Sequence, residues 1–339
     1  MGKSVTDRAA RVQCRRRAVE FVIQALHFWM LPGWAEDCSD VFVCPCGAVF
    51  AVARKPISLR KKMLNVAQAV RYEPAMLKNI LQNDGFNWLV PGRHGVILCN
   101  KNDIVVGRSA IYYGEYFESE VDIFRQIVQP GWHVADIGAN IGTHTQALSR
   151  LVGPSGWVYA FEVQRLVFQT LCANVANNSL TNVDCERLAV DDHNGRIPVE
   201  DVDPTKAVNY GGIPLGHSHA GQYVRSTTID DYLGGRPLHF MKVDVEGMEL
   251  ACLKGAQKTL SAWKTILYVE NDRPEKSREL LLYLHDNDYR CYWHTPLFYN
   301  KDNFAQEEED IYGLGFIDKD GPYFGTIGFA INILCIPNT

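Results

Sequence analysis

Between residues 132 and 287, apolar runs of strand length alternate with amphipathic segments of helix length. "WHVADIG", "GWVYAFE", "VDCERLAV", "LHFMKVDVE" and "KTILYVE" are the apolar runs. Residues 142–151, "RLVFQTLCANVANN", residues 250–260 and "EKSRELLLYLHDN" carry the helical periodicity. Strands that are apolar on both faces need cover on both, and parallel strands need a crossover between them. The rhythm therefore predicts an α/β fold, a mostly parallel sheet with helices on both faces. "YRCYWH" and "FAINILCIP" add antiparallel strands at an edge.

The first 130 residues lack this rhythm. Residues 1–58 offer one helix and a short β-like run, "VFVCPCGAVFAV", and residues 59–84 read as helical. "GVILCN" and "DIVVG" read as two short strands joined by a turn at residues 100–103. "SEVDIFRQIV" reads as a helix that stops before Pro130-Gly131. The expected organisation is an N-terminal extension, 1–58, a helical and hairpin lead-in, 59–130, and one α/β domain, 131–339. Residues 201–224 and 301–326 interrupt the alternation and read as long loops.

Glu20, Gln24 and His27 break the apolar stretch after Arg15–Arg17, so an amphipathic helix is expected there rather than a membrane span or cleaved signal. "MGKSVT" matches the loose myristoylation pattern at Gly2, which is too short to argue from. The net charge of −5 shows no basic excess, so nucleic acid is not an expected partner. Ten cysteines lack a disulfide rhythm, which suits a cytoplasmic protein that uses Cys172 and Cys252 as small hydrophobes. Cys38, Cys44 and Cys46 lack paired metal-ligand spacing.

The first β-α turn of the alternating region is Asp136-Ile-Gly138-Ala139-Asn140-Ile-Gly142. A dinucleotide fingerprint needs a second glycine where Asn140 stands, and no P-loop lysine follows. An acid at the strand end, Asp136, repels a diphosphate and suits a cationic amine. The helix N-terminus after Gly142 suits a carboxylate. Glu162 ends the next strand, where an acid takes ribose hydroxyls. A ligand that is both amino acid and nucleoside is S-adenosylmethionine. The competing reading makes Asp136 a turn cap and Glu162 a solvated strand-end acid.

"VADIGANIGTHT", "YAFE", "TTIDDYL" and "MKVDVEGMELACLKGA" occur in the order found in FkbM-type methyltransferases, and the chain resembles that family over roughly residues 60–339. The resemblance implies a Rossmann-like class I methyltransferase sheet with an antiparallel edge, and S-adenosylmethionine as methyl donor. It sets Asp136, Gly138, Asn140, Gly142 and Glu162 on cofactor positions, with Ala139 beside them. It also sets Glu120 toward the methionine end and Asp191 near the adenine. Asn209, in the glycine-rich loop, is a substrate residue by the same resemblance.

Methyl transfer to an alcohol needs alignment of the nucleophile and removal of a proton. "FMKVDVEG" brings Lys242, Asp244 and Glu246 to a strand end, on one face if the strand continues far enough. Asp244 is the expected base or hydroxyl anchor, with Glu246 assisting or capping the following helix. These oxygens could also take a divalent metal, which is not expected. Glu270, at the end of "YVEN", is a second acid for the acceptor. His217 and His219 read as solvated, and His294 as packed. The expected activity is O-methylation of a hydroxyl on a small natural product, sugar or glycan. N-methylation and cofactor binding without turnover are the alternatives, and Asn140 counts against an NAD-dependent oxidoreductase.

Overall fold

The computed structural model describes residues 85–201, 203–213, 222–312 and 330–338, together with the backbone of two short strands upstream. The chain divides into two compact units, Met1–Leu77 and Lys78–Thr339. In the first, β1 (Val41–Val43) and β2 (Val49–Ala51) pair antiparallel with Phe42 opposite Phe50, inside the expected β-like run. The helices expected before residue 85, Gly2, the cysteines at 38, 44 and 46, and His217 and His219 lie outside the described residues.

The second unit opens with a hairpin, β3 (Asn87–Gly92) and β4 (Gly95–Asn100), that turns at Arg93-His94. "DIVVG" is not its second strand. Both carboxylate oxygens of buried Asp103 accept backbone N–H groups, from Val105 and Gly107 at 3.0 Å each. This nucleates helix α1 (Val106–Tyr113) in spite of the β-branched residues. Helix α2 (Glu118–Ile127) follows, one residue earlier than its periodicity suggested.

The main sheet comprises β5 (His133–Ile137), β6 (Trp157–Phe161), β7 (Val183–Glu186), β11 (Phe240–Val243), β12 (Ile266–Glu270), β13 (Tyr289–His294) and β14 (Asn332–Pro337), in the order β13-β14-β12-β11-β5-β6-β7. The β12-β11-β5-β6-β7 portion is parallel, and β14 pairs antiparallel with both β12 and β13 at the edge where antiparallel pairing was expected. Order reverses between β5 and β11, which is where such sheets open a ligand crevice.

Helices α3 (Thr143–Val152) and α4 (Arg165–Asn177) cross between the first strands. Helices α5 (Ile229–Leu233), α6 (Glu249–Lys254), α7 (Gln257–Trp263) and α8 (Pro274–Asp286) lie later in the chain, and α6 and α7 divide what read as one helix. Strand alternation sends Ala135, Ile137, Met241, Val243, Leu267 and Val269 into one core with Ile229, Leu253, Leu260 and Leu284 of these helices. On the opposite face, Phe124 of α2 packs against Phe240 and Tyr268, with ring centroids 5.2 and 5.1 Å away. That face also carries Asp136 and Lys242.

"VDCERLAV" is two strands. Its second half, β8 (Ala189–Val190), leaves the main sheet and joins β10 (Tyr223–Thr227) and β9 (Gly195–Pro198) in a small sheet of order β8-β10-β9. Neither β9 nor β10 was anticipated, because "GRIP" and "YVRST" are polar and flank a loop-like stretch.

Candidate active site

The carboxyl ends of β5, β6, β11 and β12 border a cavity of about 450 Å³. The turn after β5 shapes one wall. Gly138 and Ala139 both donate backbone N–H bonds to the Phe161 carbonyl, at 3.0 and 2.8 Å, which folds the turn over the end of β6. Gly138 has φ +79°, and a Cβ there would lie 1.7 Å from the carbonyl oxygen of Asp244. Only glycine lets these two strand-end loops touch. Asn140 is also left-handed, at φ +51°. Gly142 stands at the N-terminus of α3, below the turn.

Glu162 clamps two loops together. Its Oε2 accepts the Asn140 N–H at 3.0 Å and its Oε1 accepts the Gln164 N–H at 2.7 Å. Burial pushes its carboxyl up to about 7, against the pull of these backbone donors.

Asp136 does not line the cavity; it lies beneath the turn, fully buried. Parallel register sets it beside Lys242, on the same face of the sheet. Thr145 Oγ1 donates to its Oδ2 at 2.6 Å, and Lys242 Nζ stands 3.8 Å from its Oδ1. Burial raises its carboxyl despite the nearby ammonium. Lys242 donates to Asp244 Oδ2 at 3.1 Å. Burial works against its charge, but Asp244, Asp136 and Glu120 together hold its ammonium above the usual range.

β11 ends at Val243, so strand alternation does not carry Lys242, Asp244 and Glu246 on one face. Asp244 follows the strand, tied by its N–H to the Ile137 carbonyl at 3.0 Å. Glu246 sits in a left-handed turn, at φ +54°, and meets the guanidinium of Arg273. The helix after it is not capped by Glu246. No side chain caps it; Glu249 Oε1 instead accepts the Gly247 N–H of the preceding turn at 2.8 Å. Arg273 also lies 3.2 Å from Glu270. Burial, then Asp244, pushes Glu246 up to about 7. Burial with Asp244 and Glu246 holds Glu270 well above its ordinary value. Asp244, Glu246 and Glu270 each bring an oxygen within 4.8 Å of the others, close enough for a cation, but Arg273 already supplies positive charge to two of them.

Glu120 reaches the cavity from α2 and is 3% exposed. Asn332 Nδ2 donates to its Oε1 at 2.9 Å, and His144 Nε2 is 3.6 Å from its Oε2. Burial pushes its carboxyl up to about 8, and burial with Lys242 holds His144 well below its usual range. Asn332 also donates to the Tyr268 hydroxyl at 3.0 Å, which shares a 2.7 Å bond with His294 Nδ1. His294 is packed as expected, its imidazole lowered to about 4 by burial.

Asn209 lines the cavity, and its Oδ1 accepts the Gly211 N–H at 3.1 Å. A Cβ on Gly211 would come 2.4 Å from Asn140 Nδ2, so this loop closes directly over the turn after β5. Asp191 stands outside the cavity lining, where its Oδ1 accepts the Asp192 N–H at 2.8 Å. Tyr116, Phe117 and Phe298 form an aromatic wall, with the Phe117 and Phe298 rings stacked at 4.2 Å. Sequence reasoning did not single out Arg273, Glu249, Tyr116, Gln164, His144 or Asn332. Each comes from a different element, and no local spacing links them.

Six acids line the cavity, Glu120, Glu162, Asp244, Glu246, Glu270 and Asp272, and among the described residues no lysine, arginine or histidine does. Burial raises most of these carboxyls, and a positively charged ligand draws them back to the charged form, so such a wall suits a cation.

The family model described as "Methyltransferase FkbM domain" matches residues 136–291, from Asp136 into β13. This stretch is a methyltransferase FkbM domain. Over 56 residues the chain is 43% identical to the catalytic subunit of a tRNA (adenine(58)-N(1))-methyltransferase of Cryptococcus neoformans. That match spans 16% of this chain and 13% of the relative's length. The crystal structure of methyltransferase FkbM from Methylobacillus flagellatus is 17% identical with a TM-score of 0.39, and the match covers 64% of this chain and 50% of that one. The O-methyltransferase TomG of Streptomyces achromogenes is 13% identical with a TM-score of 0.38, over 66% of this chain and 79% of that one. These relatives include an enzyme of tRNA by name, so they lend no support to the expectation that nucleic acid is not a partner. Among the described residues no helix is long and apolar enough to cross a membrane.

The residues around the cavity have the chemistry to suit S-adenosylmethionine as a methyl donor. The turn from Gly138 to Asn140 admits close approach, acids dominate the lining, and Glu120 Oε2 and both amide atoms of Gln164 are buried without a hydrogen-bond partner among the described residues.

Proposed function

We propose that this chain methylates a hydroxyl oxygen of a small acceptor, such as a natural product, sugar or glycan unit. When bound, the cofactor supplies an activated methyl group on a sulfonium centre. Glu162, Gly138, Ala139 and Asn140 hold its nucleoside side, and Glu120 faces its amino-acid end. Asp136 and Gly142 act from beneath the turn, one through Lys242 and Thr145, the other by starting α3.

The observation that carries the reading is Asp244. Its carboxylate stands on the cavity wall at the end of the central strand, oriented by the Lys242 hydrogen bond at 3.1 Å. There it accepts the proton of the acceptor hydroxyl. Glu246 and Glu270, tied to Arg273, hold the acceptor through further hydrogen bonds, and Asn209 contacts it from the opposite loop. Tyr116, Phe117 and Phe298 exclude water. The acid lining disfavours a polyphosphate chain, which supports a small acceptor over nucleic acid.

The test is a methyl-transfer screen with isotopically labelled donor against hydroxylated metabolites, amines and transfer RNA. Labelled methyl ethers that disappear with Asp244→Asn support the reading. Label appearing only on amine nitrogen or on RNA refutes it.

A further inference from the structure

Gln164 stands at the start of α4, yet its side chain does not cap that helix. It is 5% exposed, it lines the cavity, and neither Oε1 nor Nε2 has a hydrogen-bond partner among the described residues. Buried amides are nearly always paired, so two unmatched ends on one side chain mark a group that completes its bonds with something else. Its own N–H is fixed to Glu162 at 2.7 Å, so the amide stands next to the acid expected to hold the ribose. Val163, Leu188, Ala189 and Val190 give the same cavity an apolar strip that suits the flat face of a base.

We propose that the carboxamide of Gln164 recognises the hydrogen-bonding edge of the cofactor's adenine. This rests on the methyltransferase reading above and adds the residue that reads the base. An adenine edge presents an amine donor beside a ring-nitrogen acceptor, and a carboxamide offers the matching acceptor and donor side by side. Asp191, which the resemblance set near the adenine, is otherwise engaged. Its Oδ1 accepts the Asp192 N–H, its Oδ2 faces His193 at 3.6 Å, and it does not line the cavity.

Calorimetric titration of the full chain tests this with two ligands, S-adenosylhomocysteine and its analogue lacking the adenine 6-amino group. Wild-type protein should prefer the former about tenfold. Gln164→Met, close in shape but without the amide, should bind the two within about threefold, and Gln164→Leu should do the same. Asp191→Asn should keep the wild-type preference. A tenfold preference that survives in both Gln164 variants overturns the inference and leaves the cofactor reading standing, as does a wild-type protein indifferent to the amino group. Wild-type protein that binds neither ligand overturns both.

Discussion

The Nζ of Lys242 lies 3.1 Å from Oδ2 of Asp244 while the same ammonium stands 3.8 Å from Oδ1 of Asp136. One buried cation thus joins an acid on the cavity wall to an acid beneath the neighbouring turn. The arrangement follows from parallel register, which sets Lys242 of β11 beside Asp136 of β5.

Removing that cation leaves buried carboxylates without a partner. Lys242→Met is expected to lower the unfolding free energy by about 3–5 kcal/mol, the usual cost of breaking one side of a buried ion pair. Urea denaturation measures it. Lys242→Met combined with Asp136→Asn should recover part of the loss, because the uncompensated charge is then gone. Equal stability of wild type and the single variant would count against the buried network.

Asp244→Asn should lower kcat by about 10²–10⁴, the range typical of a lost general base. Affinity for S-adenosylhomocysteine should change by no more than about threefold, since the interaction belongs to the acceptor step. Turnover at the wild-type rate would remove Asp244 from the chemistry.

Glu120 gives the fold a pH dependence of definite sign. Its carboxyl rises from the ordinary 4.5 to about 8 because burial disfavours the charge. Between those values the folded state keeps a proton that the unfolded state has lost, so stability falls as pH rises through the window and levels off above it. Below the lower value both states are protonated and the contribution is fully present. Glu120→Gln should therefore flatten the stability-versus-pH slope by about one proton between pH 5.5 and 7.5, measured by denaturant unfolding at a series of pH values. An unchanged slope would show that Glu120 is ionised in the fold.

Gly138→Ala should cost both stability and cofactor binding. The added Cβ would lie 1.7 Å from the Asp244 carbonyl oxygen, and the residue would have to hold φ +79°. A left-handed non-glycine residue alone costs about 1–3 kcal/mol, before the clash is counted. Thermal melting and titration with S-adenosylhomocysteine should show a lower Tm and weakened binding. A variant with wild-type values in both would mean that the two loops do not touch.

The alternating region was legible because its strands are buried on both faces and its helices are amphipathic, so periodicity alone separates them. The strand-end positions of Asp136, Glu162 and Asp244 were legible, although only Glu162 and Asp244 line the cavity. Their individual surroundings were not. Asp136 lies under the turn because Thr145 and Lys242 enclose it, and those contacts depend on α3 and on inter-strand register. "DIVVG" was misread because Asp103 binds two N–H groups of the following turn, and local hydrogen bonding there outweighs β propensity. Glu246 was expected to assist Asp244, with a helix cap as the alternative; the cap does not form because Arg273, from the loop after β12, draws its carboxylate away. Gln164 and Asn332 were invisible because nothing in one dimension distinguishes a polar residue that faces a cavity from one that faces water.

The central claim is that this acid-lined cavity binds a cationic sulfonium nucleoside, and equilibrium titration of the full chain with S-adenosylmethionine, with NAD as control, tests it most directly. The account predicts saturable binding of S-adenosylmethionine, none of NAD, and at least about tenfold weaker binding by Glu162→Ala, which loses both the ribose acid and the clamp on the turn. Binding of NAD in preference to S-adenosylmethionine, or wild-type affinity in Glu162→Ala, would contradict it.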